Sequence, residues 1–271
     1  MISVFILTLN EEHNIEECLS SVEFSDDVIV LDSFSKDNTV GKAEALGAKV
    51  YQRKFDNYAA QRNHGLSLNF KYDWILMIDA DERVSDELRE EITEIIHLKG
   101  NSNSLYRFRR KDFFMNKWIK HSSGYPTWFG RLMKKGEVEV RREINEEYYT
   151  NGEVGFLKGH LIHYPFNKGI EYWFERHNKY STMEAKRLLG ESVCLADLKN
   201  FFHKDPMIRR KIFKSLAYKV PCRPILTFIF LYIFKLGILD GLAGFHYSLM
   251  RSIYEYQIDL KMKELKDSKL K

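Results

Sequence analysis

The sequence contains few cysteines, and their distribution excludes several classes of protein. Only 3 of its 271 residues are cysteine, at Cys18, Cys194 and Cys222. An odd number of widely separated thiols forms neither a disulfide framework nor a zinc motif. We therefore expect reduced, structural thiols, as in a cytosolic protein. The chain also lacks internal repeats and low-complexity linkers.

Four further sequence features are not found. Met1–Leu9 is too short for a signal peptide and is typical of a first strand. No GxGxxG follows that strand and no GxxxxGK[ST] occurs, which argues against a dinucleotide fingerprint and a P-loop. The apolar stretch Pro224–Phe234 is shorter than the roughly 20 residues that span a bilayer.

The composition is that of a globular protein, with one strongly basic segment. Hydrophobic residues make up 44% and charged residues 30% of the chain, and the net charge is +4. From Lys199 to Arg223 only Asp205 opposes a series of basic side chains. Such a cluster suits lipid headgroups, a phosphorylated glycan or nucleic acid. A solvated helix face is the alternative, and the lack of a recognised motif argues against nucleic acid.

Strands and helices alternate through the first third of the chain, with polar residues after each strand. This order predicts right-handed βαβ units, a mostly parallel sheet and an α/β fold. The predicted strands are Ile2–Leu7, Val28–Leu31, Lys49–Tyr51 and Trp74–Ile78; the helices are Asn14–Val22, one ending at Gly47, Tyr58–Asn69 and Ser85–Leu98.

The second half divides into an aromatic, basic part and a helical part. We predict strands at Leu105–Arg110 and Trp128–Met133, then helices at Asn167–Leu189, Pro206–Lys219 and Asp240–Leu265. The predicted domains are 1–165, with an acceptor part at about 100–165, and a helical region 166–271. Basic and amphipathic helices favour contact with an anionic membrane surface. A helical subdomain or a dimer interface is the alternative.

The segment Asp79-Ala80-Asp81 carries the clearest chemical signal. An apolar run typical of a buried parallel strand ends there in two carboxylates, where ligands of open α/β sheets gather. Two close carboxylates without a basic neighbour repel each other, and a divalent cation relieves that repulsion. Mg²⁺ and Mn²⁺ bind carboxylate oxygens and share them with substrate phosphates. A strand followed by a helix N-cap is the alternative.

Four motifs together resemble a known family. They are Thr8-Leu9-Asn10-Glu11-Glu12, Val30-Leu31-Asp32-Ser33 with Lys36-Asp37-Asn38-Thr39, Ala60-Gln61-Arg62-Asn63, and Asp79-Ala80-Asp81-Glu82-Arg83. In this order they resemble family 2 glycosyltransferases, which have the GT-A fold. The most similar group is that of the bacterial lipopolysaccharide core β-1,4-glucosyltransferases. The Cys222-Arg223-Pro224 and Leu236–Gly244 segments are also similar to that group.

The resemblance implies roles for particular residues. It places Thr8, Asn10 and Glu11 against the nucleotide, Asp32 on its base or ribose, and Gln61, Arg62 and Asn63 in support. It places Asp79 and Ala80 near the ribose or the water shell of a metal, and makes Asp81 a metal ligand. Taken singly, these residues could instead be turn formers, an N-cap or a surface ion pair.

The resemblance also implies a general base and a late histidine. Glu143, Glu146 and Glu147 are the candidate bases, and Glu146 is our first choice because similar enzymes carry a His-Glu pair where this chain has Asn145-Glu146. His163 is the candidate for completing the metal shell, since an imidazole suits Mn²⁺. A structural histidine at a strand end is the alternative.

These features predict an inverting, metal-dependent hexosyltransferase. The expected donor is a nucleotide sugar, with uridine and glucose implied by the resemblance, and the cofactor is Mn²⁺ or Mg²⁺. The expected acceptor is the lipopolysaccharide core or another glycan or lipid-linked molecule, at the inner face of the bacterial plasma membrane. Homo-oligomers are possible. A sugar nucleotidyltransferase and a non-catalytic membrane scaffold are the alternatives.

Overall fold

The computed structural model describes residues 1–98, 100–141, 147–190, 220 and 222–267. The chain forms two compact units. The first comprises Met1–Phe113 and Gly124–Asn167, and the second Phe114–Ser123 and Lys168–Lys271. The predicted helix Pro206–Lys219 and the thiol of Cys194 lie outside the described residues. Cys18 is a buried free thiol and Cys222 an exposed one.

The first unit begins with the predicted alternation of strands and helices. Each prediction is confirmed to within a few residues, because apolar runs and helical periodicity specify these elements locally. The elements are β1 (Ser3–Thr8), α1 (Ile15–Ser20), β2 (Val28–Asp32), α2 (Thr39–Ala45), β3 (Lys49–Gln52), α3 (Tyr58–Leu66), β4 (Trp74–Asp79), β5 (Glu82–Val84) and α4 (Asp86–Ile96). The Ser85 side chain caps α4 by accepting a hydrogen bond from the Leu88 N–H.

The remaining strands are longer or more irregular than the sequence predicts. They are β6 (Asn103–Phe114), β7 (Lys117–Trp118), β8 (Trp128–Lys134), β9 (Val138–Arg141), β10 (Glu147–Thr150) and β11 (Glu153–His163). β5, β7, β9, β10 and β11 were not predicted. β5 and β11 pair with strands that are distant in sequence, whereas β9 and β10 are short and pair with each other. β11 also carries charged residues that hide its pattern.

One mixed, mostly parallel sheet organises the first unit. Its strands are hydrogen-bonded in the order β3-β2-β1-β4-β8-β6-β11-β5. β1 pairs in parallel with β2 and β4, while β8 runs antiparallel to β4 and β6. β11 runs parallel to β6 and antiparallel to β5. The sheet therefore brings the ends of β1, β2, β4 and β11 to one region.

Apolar side chains cover both faces of this sheet. On one face, Ile15, Cys18 and Leu88 of the flanking helices pack among Val4, Ile6 and Leu76. On the other, Phe5, Ile29 and Met77 pack with Phe70 beneath α3. A Cβ at Gly65 would lie only 1.8 Å from the Phe5 ring, so glycine allows α3 to approach the sheet closely.

The second unit is helical. It contains α5 (Gly169–Gly190), α6 (Arg223–Ile229), a π-helical turn (Phe230–Phe234), a 3₁₀ turn (Gly237–Asp240) and α7 (Gly241–Asp267). The buried Asp240 carboxylate accepts hydrogen bonds from the backbone N–H groups of His121 and Ser122 and from the Ser122 hydroxyl. These bonds fix the segment Phe114–Ser123 within this unit.

In the described part of the chain, no single helix has the length and apolarity needed to cross a bilayer. The segments Arg223–Phe234 and Gly237–Asp267 meet that requirement only as a pair, and they are bent by 72° relative to each other.

Candidate active site

The polar residues of the sequence motifs lie at the carboxyl ends of adjacent strands. In the parallel register Thr8 lies opposite Asp32, and Leu7 lies opposite Asp79. The Ala80 N–H donates to the Leu7 carbonyl at 3.3 Å, and its side chain is buried. This is the edge of the sheet at which ligands of open α/β folds bind.

The loop after β1 is tied to the loop after β2 by several hydrogen bonds. Asn10 has a left-handed conformation with φ 54°; its backbone N–H donates to the Ser35 hydroxyl at 2.7 Å, and its side-chain Oδ1 accepts from the Lys36 N–H at 2.8 Å. The Glu11 N–H donates to the Thr39 hydroxyl at 2.7 Å. Asn tolerates this conformation better than most residues. The loops after β1 and β2 are therefore joined by hydrogen bonds into one rim.

Asp32 is buried, and both of its carboxylate oxygens accept hydrogen bonds from neighbouring residues. Its carboxylate accepts hydrogen bonds from the Thr8 hydroxyl at 3.0 Å, the Ser35 N–H at 2.8 Å and the Gln52 amide at 3.1 Å, and from the Ser35 hydroxyl. A direct bond from Asp32 to a base or ribose requires one of these partners to be displaced.

Gln61 and Asn63 of α3 point in different directions. The Gln61 amide donates to the Ser33 hydroxyl at 3.1 Å and accepts from Arg53 at 2.6 Å, beside the β2 loop. The Asn63 amide donates to the Val140 carbonyl at 2.7 Å and accepts from the Val140 N–H at 2.8 Å. Asn63 thus fastens strand β9, and both ends of its amide are engaged there.

Asp79 is paired with two buried arginines. Arg62 Nη2 donates to its two carboxylate oxygens at 3.0 and 3.3 Å, and Arg131 Nη2 donates at 2.7 Å. Burial alone would raise the pKa of Asp79, but Arg131 and Arg62 hold it well below its ordinary value. Our premise that Asp79 and Asp81 lack a basic neighbour was wrong, because both arginines are distant in sequence.

A second acidic group, Glu82, completes this network. Its side chain is fully buried; Oε1 accepts from Arg131 at 3.0 Å and from Arg110 at 3.2 Å, and Oε2 accepts from the Asp79 N–H at 3.0 Å. The N-cap alternative for the acidic segment is also wrong, because strand β5 follows it and Ser85 caps α4.

Asp81 lies beside His163, which the β11 register places next to Glu82 and Asp112. His163 Nε2 is 3.2 Å from Asp81 Oδ2, and Nδ1 is 2.7 Å from Asp112 Oδ1. Burial and Arg110 lower the pKa of His163, but Asp81 and Asp112 outweigh them and raise it to about 9. Burial would raise the Asp81 pKa, whereas His163 lowers it below the ordinary value.

Sequence reasoning did not assign roles to Arg110, Asp112 and Arg131. One signal was available, since Arg131 stands in the apolar strand β8, and a buried charge requires a partner. That partner could not be named without the sheet topology.

The model of the family "Glycosyl transferase family 2" matches residues 3–165. The chain belongs to glycosyl transferase family 2. Its fold is of the GT-A class, with a mostly parallel sheet, flanking helices and a C-terminal helical extension.

Two curated relatives illustrate the membership. An uncharacterized glycosyltransferase of Rickettsia bellii is 43% identical over 207 residues, which cover 70% of this chain and 68% of the relative. The lipopolysaccharide core biosynthesis glycosyltransferase LpsC of Rhizobium meliloti is 25% identical over 265 residues, covering 94% of this chain and 89% of LpsC. The second similarity therefore extends into the helical unit.

A solved structure shows a weaker likeness. Glucosyl-3-phosphoglycerate synthase from Mycobacterium tuberculosis, crystallised with Mn²⁺, uridine diphosphate and glucosyl-3-phosphoglycerate, is 26% identical with a TM-score of 0.32. The match covers 42% of this chain and 43% of that enzyme, so this chain spans less than half of it. At such a TM-score the likeness supports no transfer of ligands to this family member.

The donor set at Asp81 and His163 fits a divalent cation that a phosphorylated substrate helps to bind. Among the described residues no group of three acidic, histidine or cysteine side chains could hold a metal unaided. Mg²⁺ is usually held by one or two protein groups, waters and substrate phosphates. Asp112 at His163 Nδ1 resembles the carboxylates that orient metal-binding imidazoles. Asp79, by contrast, is committed to its arginines.

In the sequence, the candidate bases follow β9, and the last of them, Glu147, is the first residue of β10. Glu143 and Glu146 lie outside the described residues. Glu147 begins β10, opposite Arg141, and its Oε2 accepts a hydrogen bond from the Tyr149 hydroxyl at 2.5 Å. The described contacts therefore engage Glu147 within the hairpin.

Proposed function

We propose that this family 2 glycosyltransferase is an inverting, cation-dependent hexosyltransferase. Its donor is a nucleotide sugar, with uridine diphosphate glucose as the first candidate. Its acceptor is a sugar of the lipopolysaccharide core or another glycan or lipid-linked molecule. The observation that carries the proposal is the cluster of Asp79, Asp81, Arg62, Arg131 and His163 at the edge of the sheet where ligands bind. Similarity to LpsC over 94% of the chain supports the acceptor class.

Each group has a distinct task in this proposal. Thr8, Asn10 and Glu11 of the rim hold the nucleotide. Asp32 stabilises the rim by accepting hydrogen bonds from Thr8 and Ser35. Arg62 and Arg131 keep Asp79 ionised and oriented toward the donor. Asp81 and His163 would hold the cation, which as a Lewis acid would offset the charge that develops on the departing diphosphate.

The acceptor hydroxyl requires a general base within hydrogen-bond reach. We assign this task to Glu146, with Glu143 as the second candidate. The base takes the hydroxyl proton as the acceptor oxygen forms its bond to the sugar carbon and the carbon–phosphate oxygen bond breaks. A single displacement of this kind inverts the anomeric centre.

The test is nucleoside diphosphate release from a panel of nucleotide sugars with Mn²⁺. Asp81→Asn should lower turnover at least about 100-fold, because a lost electrostatic contact to the transition state has effects of this size. Asp26→Asn is the matched control, since Asp26 is an exposed carboxylate paired with Lys71. Undiminished turnover of Asp81→Asn with the cation chelated contradicts the proposal. Release of pyrophosphate instead identifies a sugar nucleotidyltransferase.

The helical unit supports a membrane surface as the second partner. In α7 the apolar residues at spacings of three and four are exposed, whereas small residues such as Ala243, Gly244 and Ser248 are buried. The exposed set is Leu242, Phe245, Leu249, Ile253, Tyr256 and Leu260. The bend before α7 also exposes Phe234 at 74% and Leu239 at 62%. We call these eight residues the apolar face.

An anionic bilayer fits the apolar face and its surroundings. Monomeric proteins rarely expose continuous apolar surface of this kind. The sequence immediately before α6 is strongly basic, and basic segments beside an apolar helix face are attracted to anionic lipids. We therefore propose that the enzyme acts at the inner face of the plasma membrane, where a lipid-linked acceptor would be presented. A second copy of the chain is the alternative occupant.

A further inference from the structure

A cluster of exposed aromatic side chains lies on β8 and β11, on either side of β6. Trp128 is 40% exposed and Phe156 is 59% exposed. Their rings meet edge to face, with centroids 5.1 Å apart. Large aromatic side chains are usually buried, so an exposed pair in mutual contact suggests a binding surface.

Two arginines of β6 join this cluster. The Arg109 guanidinium lies 5.1 Å from the Trp128 ring and 5.9 Å from the Tyr125 ring, and Nη2 donates to the Lys158 carbonyl at 2.8 Å. Arg107 lies two residues earlier, on the same side of the strand, with Phe156 as its register partner on β11. We call these five residues the aromatic–arginine platform.

The platform carries positive charge that the described residues do not neutralise. Within those residues neither Arg107 nor Arg109 forms an ion pair. Glu91, the nearby acid on α4, accepts hydrogen bonds from the backbone N–H groups of Lys158 and Gly159. An anion is the natural complement of two arginines on the same side of a strand, because guanidinium groups bind phosphate and carboxylate in a bidentate manner.

His160 lies beside the platform. Its ring stacks on Tyr125, and Nε2 lies 3.2 Å from the Tyr125 hydroxyl. Burial, followed by Lys111 and Arg109, lowers the pKa of His160 to about 4, against smaller opposing effects of Glu87 and Glu91. At neutral pH the ring is therefore uncharged.

The platform is adjacent to the hairpin that carries the candidate base. Arg107 pairs with Gly130 of β8, and a Cβ at Gly130 would lie 3.2 Å from the Tyr148 ring of β10. The absence of a side chain at Gly130 thus lets the hairpin pack beside Arg107. A molecule on the platform would lie next to the β9–β10 hairpin.

We propose that the aromatic–arginine platform binds an anionic sugar of the acceptor, namely a pyranose that carries a phosphate or a carboxylate. The face of one of the two perpendicular rings, Trp128, covers the apolar face of the sugar ring, and Phe156 borders the sugar. Arg107 and Arg109 bind its anionic group. The inference rests on the proposed function for the word acceptor, but binding itself requires neither donor nor cation.

The test uses ligand-observed proton NMR with glucose 6-phosphate and glucose as probes. Saturation should pass from the protein to the ring protons of glucose 6-phosphate and much less to those of glucose. The double variant Arg107→Gln/Arg109→Gln should weaken binding of glucose 6-phosphate at least about tenfold, because two charge-assisted contacts are lost. Trp128→Ala should reduce the saturation of the ring protons.

Arg89→Gln is the matched control, since Arg89 is an exposed arginine paired with Asp86 on α4. It should bind the probe as the wild type does. Equal binding of glucose and glucose 6-phosphate, or unchanged binding by the double variant with an unchanged melting temperature, overturns the inference. Asp81→Asn should still bind the probe, so failure of the platform is distinguishable from failure of the proposed transfer reaction.

Discussion

At the residue scale, the site depends on buried charges that are paired by residues distant in sequence. Glu82 is fully buried, and Arg131 is only 3% exposed. Removing one partner of such a pair leaves an uncompensated charge, whereas the intact network is a weak contributor to stability. We infer that its main effect is to orient Asp79. The acidic motif was recognisable in the sequence because its residues are neighbours, but its arginines were not.

Asp27 offers a test of paired charge away from the site. Its buried carboxylate accepts hydrogen bonds from the Ser3 hydroxyl at 2.6 Å and the Lys71 N–H at 2.8 Å, and it pairs with Lys49 at 2.9 Å. Asp27→Asn should lower the free energy of unfolding by about 1.5–3 kcal/mol at pH 7, because it replaces an ionised acceptor. Urea denaturation measures this loss.

The loss of unfolding free energy caused by Asp27→Asn should depend on pH. Burial would raise the pKa of Asp27, but Ser3, the Lys71 N–H and Lys49 together lower it below the ordinary value. A lowered carboxyl pKa stabilises the fold above the unfolded value of about 3.9 and stops doing so as pH falls through the folded value. The difference between wild type and variant should therefore be constant from pH 5 to 8 and shrink below about pH 4. If the difference in the free energy of unfolding stayed constant down to the acid limit, this explanation would be refuted. Asp26→Asn is the control, because its ion pair is exposed and screened by solvent, and it should lower the free energy of unfolding much less.

At the scale of single elements, Asn63 connects α3 to the β9–β10 hairpin. Its amide makes two hydrogen bonds with the Val140 backbone, as a strand neighbour would. Because the hairpin leads into the segment with the candidate bases, its position should affect turnover more than donor binding.

Asn63→Ala should therefore increase hydrogen exchange of the Val138–Arg141 and Glu147–Thr150 amides and lower kcat about tenfold or more, with a small change in the KM for the donor. Mass spectrometry of the exchanged peptides and steady-state kinetics give the two readouts. Ser67→Ala is the control, since the Ser67 hydroxyl only donates to the His64 carbonyl at the end of α3. Unchanged exchange in the hairpin would mean that Asn63 does not hold it.

Helix α7 shows that a sequence pattern can predict a helix without predicting which of its faces is buried. The periodicity of α7 predicted an amphipathic helix, and the structure has one at Gly241–Asp267. The pattern could not show that the large apolar residues would be exposed while Ala243, Gly244 and Ser248 pack inside. Periodicity identifies two faces of a helix, but tertiary packing decides which one is buried.

At the scale of the whole molecule, the predicted α/β order was sufficient for the fold class and not for the site. Local patterns specified β1 to β4 and the helices between them. His163 reaches Asp81 only because β11 pairs with both β5 and β6, a long-range pairing that no local pattern encodes. The metal candidate on β11 was found through resemblance, and its partner Asp112 was found only in the structure.

The membrane proposal is also tested on the whole chain. The protein should sediment with vesicles that contain phosphatidylglycerol and much less with vesicles of phosphatidylcholine alone, because basic segments add attraction to anionic lipid. Phe234→Ser/Leu242→Ser should reduce sedimentation, since exposed apolar surface is lost. Leu46→Ser is the control, an exposed leucine in the first unit. Unchanged sedimentation of the double variant would contradict membrane binding by the apolar face. Conversion of a dimer to a monomer by the same substitutions, measured by light scattering, would show that a second copy of the chain covers this face.

The central claim is that a cation bound by Asp81 and His163 binds the diphosphate of the donor, while Asp79 remains paired with two arginines. A crystal soaked with Mn²⁺ and uridine diphosphate tests it most directly, since anomalous scattering locates the ion. We predict manganese bound by Asp81, His163 and phosphate oxygens, with Arg62 and Arg131 still on Asp79. Manganese and phosphates bound away from Asp79 and Asp81 would contradict the account.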